Sequence, residues 1–232
     1  MQELKTIARI QTDYGDKFGI PRQSGLVPEA SGMIVFEPAY RDANSLRGLD
    51  GFSHIWLLWG FSLVQQDHWQ PMVKPPKLGG NTRMGVFATR SPFRPNSIGL
   101  SCVRLEEIRA LPGKGTVLLV SGADLADGTP IYDIKPYLPF TDCRPEASGG
   151  FADAHVSDCL SVEFPDPLLR LVPESKRAAL IRTLSLDPRP AYQSDPDIPY
   201  GIRFAGLDIR FRVSENLLTV YSVVSADAAP VK

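Results

Sequence analysis

The 232-residue chain is 43% hydrophobic and 22% charged, a globular composition long enough for one large domain and a small companion. Its formal charge of −1 excludes a protein that grips polyanions over its whole surface, so any nucleic-acid contact is local. No apolar run nears the roughly 20 residues of a membrane span, and the start Met1-Gln2-Glu3-Leu4-Lys5 lacks a signal peptide's basic and apolar stretches, so a cytoplasmic location is the default.

In chain order, residues 4–10 and 33–36 are short β-branched runs bounded by Gly, Pro and Asp, the pattern of strands. The loop between them, Gly19-Ile20-Pro21-Arg22-Gln23-Ser24-Gly25, is too rich in breakers for a helix, and an ordered loop of this length is often functional. A short helix is expected over 38–46, then a buried strand over 52–61 carrying Trp56 and Trp59. Residues 70–83 hold Pro71, Pro75, Pro76, Gly79 and Gly80 and read as an irregular connection. Strand-like runs resume at 84–88, 98–108, 116–120 and 131–134. Five or more strands without a long intervening amphipathic helix argue for an antiparallel β-barrel or sandwich over residues 1–140 and against a doubly wound sheet.

Residues 141–158 are polar, contain Gly149-Gly150 and read as a linker. Beyond it a strand is expected over 161–164. A helix follows over 173–184, with Leu180, Ile181 and Leu184 on one face. A hairpin of strands 202–213 and 217–224 turns around Ser214-Glu215-Asn216. The fold class is therefore mainly β, with a small α+β unit over 159–232.

The densest constellation is Gly85-Val86-Phe87-Ala88-Thr89-Arg90-Ser91-Pro92-Phe93-Arg94-Pro95-Asn96-Ser97-Ile98-Gly99-Leu100-Ser101. It lies in a stretch, 68–105, that contains Lys74, Lys77, Arg83, Arg90, Arg94 and Arg104 and neither Asp nor Glu. Prolines at 92 and 95 reduce the entropy lost in ordering a loop. A guanidinium held rigidly matches a carboxylate or phosphate with two parallel hydrogen bonds. The same residues also fit a structural turn whose arginines pair with internal acids. Cys102, Cys143 and Cys159 form no CxxC pair and His54, His68 and His155 are scattered, so neither a disulfide framework nor a metal centre is expected. Gly113-Lys114-Gly115 lacks the rest of a dinucleotide fingerprint and reads as a turn.

Stretch 85–101 does not stand alone. Together with Gly32, Tyr40, Arg47-Gly48-Leu49, Phe52-Ser53-His54, Pro75-Pro76-Lys77-Leu78-Gly79-Gly80, Asp127-Gly128-Thr129-Pro130 and Asp133-Ile134-Lys135-Pro136-Tyr137, it resembles the TsaA-like family. Asp187-Pro188-Arg189-Pro190-Ala191-Tyr192 resembles the bacterial subgroup, so the likeness spans nearly the whole chain. The resemblance implies a small barrel that binds S-adenosylmethionine at or near a homodimer interface, a variable C-terminal module, and methyl transfer to the exocyclic nitrogen of threonylcarbamoyladenosine beside a tRNA anticodon. By the same resemblance Pro21, Arg22, Gln23, His54, Ile55, Arg90, Leu100 and the loop Leu125, Asp127, Gly128, Thr129, Pro130 line the cofactor pocket. Arg90 would hold the methionine carboxylate, Asp127 or its loop would accept from the ammonium or ribose, and Leu100 would cover the adenine. Arg94, Lys77, Arg189 and Tyr192 are the candidates for RNA contact, Tyr192 by stacking on an unpaired base. One departure is plain: relatives often carry Arg-Ser-Pro after the first strand, and this chain carries Gln11-Thr12-Asp13. No residue stands out as a general base. The competing reading is a non-catalytic S-adenosylmethionine sensor or RNA-binding module, for which a barrel with rigid arginines would serve equally well.

Overall fold

The computed structural model describes residues 3–64, 68–75, 78, 82–155, 159–189 and 198–228. Strands β1 (Ala8–Thr12), β2 (Ser31–Phe36) and β3 (His54–Gly60) are followed by a two-residue pair, β4 (Met72–Val73) with β5 (Met84–Gly85), and then by β6 (Ile98–Leu111), β7 (Gly115–Ser121) and β8 (Pro130–Pro136). Antiparallel ladders run β1-β2-β7-β6-β3-β8 and back to β1, closing a barrel. Side chains alternate across each strand, which sends Ile10, Ile34, Ile55, Leu57, Leu118 and Ile131 into a fully buried interior.

Several boundaries differ from expectation. The first strand starts at Ala8, and 38–46 forms two 3-10 turns, Pro38–Tyr40 and Ala43–Leu46, because runs this short cannot nucleate an α-helix. The Asp42 carboxylate holds the second turn by accepting from the Asn44 backbone N–H at 2.9 Å. Strand pairing in 84–88 stops at Gly85, where a 3-10 turn over Val86–Ala88 begins.

The polar stretch expected as a linker holds α1 (Pro139–Asp142) and a 3-10 turn, Gly150–His155. After it come β9 (Ser161–Glu163), α2 (Asp166–Leu169), α3 (Glu174–Ser185), β10 (Tyr200–Phe204), β11 (Leu207–Ser214) and β12 (Leu217–Ser225). The second sheet has the order β10-β11-β12-β9, with β9 parallel to β12. The expected single strand 202–213 is in fact a hairpin broken at Ala205-Gly206, both with positive φ, 50° and 74°. Two such residues make the tight turn that matches strand twist, but Ala-Gly is not the dipeptide that usually signals it. Helix α3 buries Ala179, Leu180, Thr183 and Leu184, and leaves Ile181 only half-buried.

Residues 13–30 belong to the barrel unit by sequence, yet Tyr14, Val27 and Ala30 are buried in the second core with Leu180, Leu184 and Phe204. The Tyr14 hydroxyl and the Thr183 hydroxyl share a buried hydrogen bond of 3.1 Å, and the ring meets Phe204 edge-on at 5.5 Å. Burial pushes the Tyr14 phenol up to about 12, so it stays neutral. The same residue's carbonyl accepts from Asp127 N–H of the barrel at 2.8 Å, and the Asp13 carbonyl accepts from Ala205 N–H of the second unit at 2.8 Å. Lys176 on α3 closes the seam on the Asp13 carboxylate at 2.6 Å.

At one end of the barrel Trp59 on β3 lies opposite Gly99 on β6. A Cβ on Gly99 would fall inside the van der Waals envelope of the indole, so only glycine lets the ring lie flat there. The ladder between β3 and β8 slips between Leu58 and Trp59, the kind of irregularity that re-aims a side chain. Gly99→Ala is expected to displace Trp59, lowering stability by about 1–3 kcal/mol in urea unfolding and shifting tryptophan emission. Tyr14→Phe is expected to cost about 1 kcal/mol by the same measurement, and Tyr14→Ala about 3–5 kcal/mol, because a large ring then leaves a cavity at the seam.

Candidate cofactor and substrate site

A cavity of about 440 Å³ opens at this end of the barrel. Trp59, nine-tenths buried, and the neighbouring Phe61, ring centroids 4.5 Å apart, form its aromatic floor. The Trp59 indole N–H donates to the Ser101 hydroxyl at 2.9 Å, which fixes the ring. Two walls come from Ile98-Gly99-Leu100 at the start of β6 and from Ile20-Pro21-Arg22-Gln23 in the segment shared between the cores.

The third wall is the arginine loop, and hydroxyls as well as prolines make it rigid. Thr89 Oγ1 donates to the Val86 carbonyl at 2.8 Å and accepts from Ser91 N–H at 3.2 Å, while Ser97 Oγ donates to the Pro92 carbonyl at 3.0 Å. Arg94 lies within this knot: Nη1 donates to the carbonyls of Thr89 at 2.6 Å and Val86 at 3.1 Å, and the guanidinium stacks over Phe87 at 5.6 Å. Arg90 reaches across the cavity instead and donates to the Gln23 side-chain carbonyl. Gln23 in turn donates from Nε2 to the Arg22 carbonyl at 2.5 Å. Arg22 is exposed at the rim, its Nη2 donating to the Asp187 carbonyl at 3.3 Å.

Asp124 is the one acid among the described residues that line the cavity. Burial pushes its carboxyl up to about 6, against the opposing pull of the Ser101 hydroxyl, nearby backbone N–H groups and the Arg90 charge. Its Oδ1 is buried with no hydrogen-bond partner among the described residues.

The residues expected at the pocket divide. Pro21, Arg22, Gln23, Arg90, Leu100 and Thr129 line this cavity, as does Arg94. His54 and Ile55 do not: they sit at the opposite end of β3, five and four residues from Trp59, or about 13–17 Å at strand rise. Ile55 is in the barrel core, and His54 Nδ1 pairs with the Ser53 hydroxyl at 2.9 Å, edge-on to Tyr137. Leu125 is likewise buried among barrel side chains. Asp127 is committed to backbone, its Oδ1 accepting from Thr12 N–H at 3.0 Å, and it faces a second cavity with Asp13, Lys176 and Arg203. Gly128 and Pro130 fasten the end of β8 to β1, Gly128 through N–H to the Ile10 carbonyl at 2.8 Å and Pro130 opposite Arg9. Arg189, a candidate for RNA contact, pairs with Asp187 at 2.8 Å and 2.9 Å and lies over the Tyr200 ring, which compensates the charge of a largely covered side chain. Lys77 and Tyr192 lie outside the described residues.

Sequence reasoning missed Trp59 as a floor, since Trp-rich apolar runs read as core, and it missed Asp124. The only signal for Asp124 was an acid directly after the apolar strand 116–120 and its Gly122, a place where a turn would normally expose it. Among the described residues no group of three His, Cys, Asp or Glu side chains gathers to hold a metal ion, and no helix is long and apolar enough to cross a membrane.

Comparisons with known proteins agree in direction. Residues 9–143 match the model of the tRNA-methyltransferase O N-terminal domain, and residues 158–226 match that of the TrmO C-terminal domain. The chain is 40% identical over 230 residues to the tRNA (adenine(37)-N6)-methyltransferase of Escherichia coli, covering 95% of this chain and 97% of that one. It is 32% identical over 152 residues to a probable S-adenosyl-L-methionine-binding protein of Pyrococcus abyssi, covering 66% and 77%. A crystal structure of TrmO from Pseudomonas aeruginosa superposes with a TM-score of 0.77 at 34% identity, covering 97% of this chain and 100% of that one. With both domain models matched in order and the likeness running almost from end to end, the chain belongs to the tRNA-methyltransferase O family.

Proposed function

We propose that this protein is an S-adenosylmethionine-dependent methyltransferase acting in the cytoplasm on the exocyclic N6 of threonylcarbamoyladenosine, next to the anticodon of tRNA. The observation that carries the reading is the cavity itself. Within one enclosure it brings a cross-cavity arginine, an aromatic floor and a second, rim arginine, on a chain whose relatives are named for adenine-N6 methylation of tRNA.

S-adenosylmethionine would supply an electrophilic methyl group on a sulfonium. Arg90, oriented by Gln23, would bind its carboxylate through a bidentate pair. Trp59, Phe61 and Leu100 offer apolar faces to its adenosine and exclude water. The transfer is an in-line displacement, so rigid placement of the two partners supplies much of the acceleration. The arginine knot and the doubly pinned 13–30 segment provide that rigidity. N6 of the substrate carries an acyl group that spreads negative charge, which reduces the demand on a base. For the threonyl carboxylate, Arg22 is the better placed cation: it lies exposed at the rim, whereas Arg94 is committed to two carbonyls.

A second copy of the chain fits over the mouth. Phe87 is 73% exposed, Leu100 51% and Trp69 48%, with Trp69 and Phe87 stacked at 6.4 Å beside the cavity's arginine wall. A homodimer covering this patch would complete the enclosure. The C-terminal unit, whose carbonyl of Asp187 meets Arg22, would then lie on the tRNA side.

The direct test incubates purified protein with labelled S-adenosylmethionine and tRNA bearing or lacking the threonylcarbamoyl group, with nucleoside mass spectrometry of the product. Label on N6 only of the modified tRNA is expected, and cofactor binding without transfer would overturn the enzyme reading in favour of a sensor. Arg22→Ala should raise KM for the modified tRNA roughly 10-fold or more, the loss of one charge-assisted contact, with KM for the cofactor little changed. Phe87→Glu should convert a dimer to monomer by light scattering at micromolar concentration, since it places a charge in an apolar contact.

A further inference from the structure

The second sheet has a back and a front. Its back packs Ile202, Ile209, Phe211 and Leu218 into one core with Leu180 and Leu184 of α3. Strand alternation therefore turns Arg203 of β10, Arg210 and Arg212 of β11 and Thr219 of β12 to the front. Tyr221 joins them through an irregularity. Arg210 pairs with Ser222 and Phe211 with Val220, so Tyr221 is the extra residue of a β-bulge, and it is 45% exposed.

Each arginine on this front is held differently. The Arg212 guanidinium lies over the Tyr221 ring at 5.5 Å, a contact that orients it without cancelling its charge. Arg210 pairs with the buried Asp208 carboxylate, Nη2 donating at 2.9 Å, and crosses Gly201, whose missing Cβ leaves it room. Arg203 is exposed on β10, and its charge, like that of Lys17, acts on the Asp16 carboxylate. Lys17 lines the cavity, so basic side chains lead from its mouth onto the sheet. Of the other acids on this face, Asp208 is covered by Arg210 and Glu163 sits on the far strand β9, accepting from the Thr219 hydroxyl at 2.9 Å.

We propose that this sheet front takes the unpaired RNA strand flanking the modified adenosine, with a base stacked against the Tyr221–Arg212 pair and a phosphate on Arg203. The assignment rests on the tRNA-methyltransferase reading above and adds to it where the second unit touches the substrate. Unpaired bases expose flat faces that stack on aromatic rings and on guanidinium planes, and a nearby cation then holds the backbone. Arg203 lies opposite Asp208, four residues along β11 from Arg212, or about 13 Å at strand rise. Stacked nucleotides rise about 3.4 Å each, so the two contacts are several nucleotides apart on one strand. The core of a protein interface is depleted of charge, whereas the middle of this face is Arg210 and Arg212.

The test measures binding of the full chain to tRNA bearing the threonylcarbamoyl group, and to its isolated anticodon stem-loop, by fluorescence anisotropy across a salt series. Tyr221→Ala should weaken both RNAs roughly 10-fold with the salt slope unchanged, and Tyr221→Phe should restore affinity to within about 2-fold. Arg203→Ala should instead reduce the slope of log Kd against log salt by about 0.7, the share of one phosphate contact on a single strand. Affinity for S-adenosylhomocysteine should stay within about 2-fold in all three variants, which separates a lost RNA surface from a damaged fold. Should Tyr221→Ala fail to fold, the slope of Arg203→Ala decides alone. Unchanged binding of both RNAs by Tyr221→Ala and Arg203→Ala overturns the assignment and leaves the face to another partner, such as an acidic protein. Sensitivity with whole tRNA but not with the stem-loop also overturns it, because the contact then lies away from the strand beside the modified base. If the unaltered protein methylates the tRNA while the variants bind it normally, only this assignment falls. If the unaltered protein neither binds nor methylates it, the methyltransferase reading falls, and this assignment with it.

Discussion

The segment 13–30 is pinned between two hydrophobic cores, and the site depends on that constraint. It leaves β1, buries Tyr14 against α3 and β10, returns to lay Pro21-Arg22-Gln23 along the cavity, buries Val27 and Ala30 in the second core, and then enters β2. A loop with so many breakers has no regular hydrogen bonding of its own to hold it still. The order comes from its ends, through the Tyr14–Thr183 hydroxyl pair, the Lys176–Asp13 ion pair and backbone bonds to both units. The ion pair is half-shielded and short, which places it above the usual small worth of a surface pair, although the apolar burial of Tyr14 is the larger contribution.

A similar economy governs the arginine loop. Two prolines limit its conformations, and the hydroxyls of Thr89, Ser97 and Ser91, the last accepting from Phe93 N–H at 3.3 Å, together with Arg94 then satisfy carbonyls and N–H groups internally. That leaves Arg90 as the cation projecting into the cavity and explains why two arginines four residues apart have different tasks. The aromatic floor follows the same logic. Glycine at 99 makes room for the Trp59 ring, and Ser101 fixes its N–H.

Short β-branched or apolar runs bounded by Gly, Pro and Asp made most of the barrel strands legible in the sequence, and one helical face gave the α+β character of the second unit. The arginine loop was legible as a braced loop. The division between Arg90 and Arg94 was not, because it depends on which carbonyls the fold leaves unpaired. His54, Ile55 and Asp127 stood out in sequence because they lie in motifs, yet in one chain they hold strands and turns rather than the cavity. Asp124 was invisible for the opposite reason. Its burial arises from β6, the crossing segment and the arginine loop meeting over it, contacts that join residues far apart in sequence. Ala205-Gly206 escaped because its turn uses a residue pair that rarely adopts two positive φ values.

The hydroxyl pair between Tyr14 and Thr183 joins residues 169 positions apart. During synthesis at roughly 5–20 residues per second, Thr183 is made on the order of ten seconds or more after Tyr14, and β12 later still. All six barrel strands are finished well before that, so a nascent barrel can close while segment 13–30 has its barrel contacts but not the second core that buries Tyr14, Val27 and Ala30. The seam between the two cores is therefore completed only after the barrel strands, by residues that follow them in sequence.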